Sequence, residues 1–166
     1  MAKRRLAYFN QALAAFKRSD YAEAFEGFLV IAEEGDPAAQ YNLAGMYEWG
    51  LGTALDNERA LHWYNRAAEQ GYPMAQLTLG IKLRHGFGVP RDDVAALMWY
   101  RIAADSMRPG SEREELIRNL EFTKSRMNAF EIGEANRKAE AWWDEHGHRR
   151  WYEDEDRDED DQDPES

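Results

Sequence analysis

The chain of 166 residues contains no cysteine, which excludes a disulfide scaffold, thiolate zinc sites, iron–sulfur ligation and thiol catalysis. It has only five prolines, and no apolar run comes near the ~20 residues a helix needs to cross a bilayer. After Lys3, Arg4 and Arg5 the apolar stretch lasts only from Leu6 to Phe9 before Asn10 and Gln11 interrupt it. That is too short for the apolar region of a secretory signal. A cytoplasmic chain without membrane contact is expected. With 43% apolar and 13% aromatic residues there is material for one folded domain.

Charge of one sign is abundant, and it is concentrated. The formal net charge is −11, yet residues 153–166 alone hold ten acids and one base, Arg157, for −9. The other 152 residues carry 22 acids and 20 bases. A self-repelling segment with nothing apolar to bury is expected to be disordered, so residues 147–166 read as an acidic tail. Arg149, Arg150, Trp151 and Tyr152 mix bases with aromatics as single-strand binders do. They stand directly before the ten acids, which would repel a phosphate backbone, so nucleic-acid binding is not expected.

The remainder repeats itself. A shift of 36 positions pairs Gln40 with Gln76, Gly50 with Gly86, Gly52 with Gly88, Trp63 with Trp99, and Tyr64 with Tyr100. A fainter earlier unit aligns Asp20, Ala24 and Phe28 with Asp56, Ala60 and Tyr64. Each unit reads as two antiparallel helices. Asp36 caps the first, Pro37 opens it, and Gln40, Leu43, Ala44 and Tyr47 form its inward stripe. Gly50 and Gly52 stop it, and Asp56 caps the second helix. Near the amino terminus, Leu6, Phe9, Leu13 and Phe16 read as an amphipathic stripe. Ser111 with Glu114 and Asn128 with Glu131 read as capping boxes. The expected organisation is a helical array over residues 5–146, composed of a leading pair (5–35), two repeats (36–71 and 72–107) and a capping pair (111–146).

The run Ala39 to Tyr47, the Gly50-Leu51-Gly52 turn, Asp56 and the block Ala60 to Gly71, followed by a second copy through Ala104, resemble the Sel-1-like repeats, relatives of the tetratricopeptide repeats. Residues 126–139 resemble the capping helix of short bacterial members. The resemblance implies an all-α, right-handed superhelix, a solenoid of antiparallel helix pairs, and a non-catalytic role in binding another protein in a concave groove. In the Leu43-Ala44-x-x-Tyr47 frame the positions turned away from stacking include Tyr41, Glu48 and Trp49, and in the next repeat Leu77, Ile81, Arg84 and His85. By resemblance to tetratricopeptide grooves these would meet a partner segment. Tyr41, Leu77 and Ile81 read equally well as additional core.

Other chemistry finds less support. His146 and His148 beside Asp144 and Glu145 could attract a divalent ion but have no rigid third ligand, so no metal is expected. The Gly-x-Gly turns follow no strand and have no Lys-Ser/Thr, so they are turns and not phosphate loops. No cofactor and no enzymatic activity are expected, and a monomer is expected. The alternatives are an acidic nucleic-acid mimic or inhibitor acting through the tail, and, more remotely, a hydrolase.

Overall fold

The computed structural model describes residues 2–147, and every described element is an α-helix. Apart from Gly147, the acidic tail lies outside the described residues, as do His148 and the Arg149–Tyr152 cluster. The chain divides into two compact units, one up to Gln70 and one from Gly71.

In the first unit α1 (Ala2–Lys17) packs on α2 (Tyr21–Glu33), and α2 and α4 (Asn57–Glu69) pack on α3 (Pro37–Trp49). The helices α2, α3 and α4 begin where carboxylates can accept the orphan N–H groups of a first turn. Asp20, Asp36 and Asp56 accept from the backbone N–H groups of Glu23, Ala39 and Arg59. α3 ends at Gly50, whose left-handed φ of 63° suits a residue without Cβ. The core is built from Phe28, Ile31, Leu43, Met46 and an alanine series that lets the helices approach closely.

The line that α1 turns inward differs from the one expected. Ala12 and Ala15 are buried, Phe9, Leu13 and Phe16 flank them, and Leu6 is exposed. The cause is the crossing with α2, where Gly27 lies so near Ala12 that a Cβ at residue 27 would stand 2.8 Å from the alanine's own. Only two small residues permit that approach, so the large apolar side chains are displaced to its sides.

In the second unit α6 (Asp93–Ser106) packs against α5 (Pro73–His85), α7 (Ser111–Lys124) and α8 (Ala129–His146). Its core gathers Ala96, Tyr100, Ala103, Met107 and Leu116, with Leu77 and Ile81 of α5 packed on it. Asp92 caps α6 through the Ala95 N–H. The capping box at the start of α8 is complete: Asn128 accepts from the Glu131 N–H, and the Asn128 N–H donates to the Glu131 carboxylate. The expected box at Ser111 is not formed. Gly110 is the N-cap, no side chain caps the helix, and Ser111 is already its first residue. Arg113 fixes that start from a distance, donating from Nε to the Ala104 carbonyl at 2.7 Å.

Candidate partner-binding surface

The expected contact residues fall into two groups, each within its own unit. On α3 Trp49 is 72% exposed at the carboxy-terminal end of the helix. Tyr41 and Glu48 are half-buried and meet the same neighbour, Tyr64 of α4. The rings of Tyr41 and Tyr64 lie 5.6 Å apart, and the Tyr64 hydroxyl donates to Glu48 Oε2 at 2.8 Å. Burial, together with that hydrogen bond to a carboxylate, pushes the Tyr64 hydroxyl well above its ordinary pKa of 10.0.

On α5 Leu77 and Ile81 are partly buried against the core, Arg84 is half-buried, and His85 is exposed with its ring stacked on Phe87. Arg84 stands 36 positions after Glu48, so the repeat carries a carboxylate at this place once and a guanidinium the second time. The consequence reaches Tyr100, the counterpart of Tyr64. Its ring lies against Gly80, where a Cβ would approach the ring carbon Cε1 to 2.5 Å, and Ala44 occupies the matching place in the first repeat. Tyr100 is fully buried, and its hydroxyl has no hydrogen-bond partner. Burial raises its pKa, partly offset by the nearby Arg84 cation.

Arg84 also takes part in a cluster the sequence did not reveal. It donates from Nη1 to Asn119 Oδ1 at 3.3 Å and lies 4.4 Å from the centre of the Phe122 ring, which Arg126 approaches at 5.7 Å. Arg84, Phe122 and Arg126, together with His85, Arg91 and Asp93, line a cavity of about 200 Å³. The one readable signal was the change of sign between residues 48 and 84. Phe122 and Arg126 sit on α7 and at its end, and nothing local ties them to α5.

The buried glutamines do more than complete an inward stripe. Gln40 donates from Nε2 to the Ala32 carbonyl at 3.1 Å and accepts from Gln70 Nε2 at 2.7 Å, joining α2, α3 and the end of α4. A glutamine recurring at 40 and 76 inside an apolar stripe was the available clue. The other described histidines make ring contacts: His62 lies against Trp63, and His146 stacks on Trp142 at 4.4 Å. Among the described residues no three histidine, aspartate or glutamate side chains converge as metal ligands would. No described helix is long and apolar enough to cross a membrane.

Comparison with known proteins agrees with this arrangement of helix pairs. No curated protein matches the chain. The family model described as Sel1 repeat matches residues 37–72 and 73–106. Among solved structures the chain is similar to c5321 of uropathogenic Escherichia coli, a protective antigen displaying an SLR fold. The TM-score is 0.77 and the identity 25% over 98% of this chain, which spans only 34% of that one. It is also similar to a Sel1 repeat protein from Oxalobacter formigenes, with a TM-score of 0.61 and 32% identity over 71% of this chain and 88% of that one. Sel1 repeat proteins are generally non-catalytic scaffolds that bind other proteins. Two consecutive repeat matches, the glycine-stopped helix pairs that underlie them and a 32% identical relative of which the match covers 88% together place this chain in the Sel1 repeat family.

Proposed function

We propose that this protein is a non-catalytic scaffold or adaptor that binds a segment of a partner protein with the first helix of each of its two repeats. The contacts are Tyr41, Glu48 and Trp49 on α3, and Leu77, Ile81, Arg84 and His85 on α5. One observation carries the reading: Trp49 is left 72% exposed, whereas its fellow tryptophans Trp63 and Trp99 are buried. An exposed tryptophan held on a rigid helix is the kind of anchor that contributes most where proteins meet. Arg84, Glu48 and His85 supply a rim of mixed charge that orients the segment.

Affinity capture from the native cell tests this with the full-length protein, a Trp49→Ala/Arg84→Gln double variant and a form lacking residues 153–166. The double variant is expected to stay folded and lose its captured partner. Capture lost on removing the acidic residues but retained by the double variant would favour the acidic mimic and reject the scaffold reading. Hydrolysis has no comparable observation behind it.

A further inference from the structure

The cavity between the end of α5, the start of α6 and the end of α7 concentrates positive charge in a chain that is strongly negative overall. Its one carboxylate, Asp93, is held by Arg91 through two hydrogen bonds at 2.6 and 3.1 Å. Arg84 and Arg126 form no ion pair with any described carboxylate; the ring of Phe122 holds both guanidiniums. An aromatic face steadies a guanidinium while leaving its N–H edge free, and that edge matches a carboxylate. Arg84 donates from one nitrogen to Asn119, and its cation also stands near the Tyr100 hydroxyl.

We propose that this cavity is a docking site for the chain's own acidic segment, residues 153–166. Charge complementarity is the first argument: ten carboxylates against two guanidiniums that no described carboxylate neutralises. Reach is the second. α8 starts beside the cavity, where Glu131 shares a neighbouring cleft with Arg91 and Asp93. Its 18 residues, at about 1.5 Å each, carry the chain roughly 27 Å away to Gly147. An extended chain recovers that distance in about eight residues, at ~3.3 Å each. Glu155 and the acids after it, eight in all, are then within reach of Arg84 and Arg126. Tethering is the third argument. A segment joined by so short a link acts at an effective concentration of about millimolar, which favours it over a free peptide of the same charge. Docked there, the segment would cover Arg84 and compete with any partner that needs it.

The inference shares Arg84 and His85 with the proposed partner contacts but requires no partner, so either reading can fail alone. The absence of cysteine allows a direct test. A nitroxide attached to Gln162→Cys in the full chain should broaden the backbone amide signals of Phe122, Thr123 and Arg126. The broadening should be lost in Arg84→Gln/Arg126→Gln, retained in Arg84→Lys/Arg126→Lys, and lost at about 1 M salt in the labelled chain that keeps both arginines. Broadening that misses these amides, or that persists in the glutamine variant or at high salt, overturns the proposal. So would inorganic phosphate shifting these amides while the label leaves them sharp, because the cavity would then take a free anion and not the acidic segment.

Discussion

Tyr64 and Glu48 form a hydrogen bond in which the proton must remain on the phenol. With its pKa raised in the folded protein, Tyr64 contributes stability that is fully present below the unfolded tyrosine's pKa of about 10. Above that pH the unfolded chain releases the proton and the folded one holds it, so stability falls as pH rises. Tyr64→Phe should cost roughly 1–3 kcal/mol at neutral pH. It should also make the alkaline decline shallower, as read by denaturant melts between neutral pH and the alkaline limit. An unchanged slope would show that the phenol's proton does not contribute. The tryptophans offer a contrast of another kind. Trp63 lies under Arg66, and Trp99 meets Trp142 edge to face. Replacement of either by alanine should cost about 3–5 kcal/mol. Trp49→Ala should cost far less, and equal losses for all three in thermal melts would contradict the register.

Among the elements, helix starts test how far local sequence governs structure. Asn128→Ala removes a cap that makes both bonds of its box and should cost about 1 kcal/mol. Ser111→Ala removes no cap and should change the melting temperature little. What could be read in advance follows the same division. The aspartate caps, the glycine stops and the 36-residue period are local or repeated signals: α2, α3, α4 and α6 begin at their aspartates, and α3 and α5 end at Gly50 and Gly86. The Ala12–Gly27 crossing was not legible, because small residues leave no periodic mark and their value lies in what approaches them. Nor was the Arg113 bond to the Ala104 carbonyl, which belongs to no capping pattern, or the meeting of Arg84 with Phe122, which joins side chains far apart in the chain. The contact positions on α3 and α5 could be named from the repeat frame, but not that Glu48 bonds Tyr64 or that Leu77 and Ile81 flank a core.

For the whole molecule the dominant fact is the separation of a nearly neutral body from ten clustered acids. Removing residues 153–166 should leave the helical circular dichroism and melting temperature unchanged at about 1 M salt, where the Debye length is only about 3 Å. A cooperative loss of helix at that salt would mean that the segment contributes to the core. At low salt the truncated and full-length proteins should differ in partner capture, with the shorter one capturing more if the segment occupies the Arg84 cavity.

The location of that cavity also bears on how such a protein can lengthen. Repeat families grow and shrink by duplicating whole helix pairs, and each duplication must leave existing sites intact. Every residue around the cavity lies between Arg84 and Arg126, in the second repeat and the helix that follows it. A helix pair inserted between Gln70 and Gly71 would pass the cavity on unaltered to a longer descendant. One inserted after Met107 would separate Arg84 from Phe122 and abolish it in a single step. Lengthening on one side of the second repeat therefore keeps the cavity, and lengthening on the other removes it.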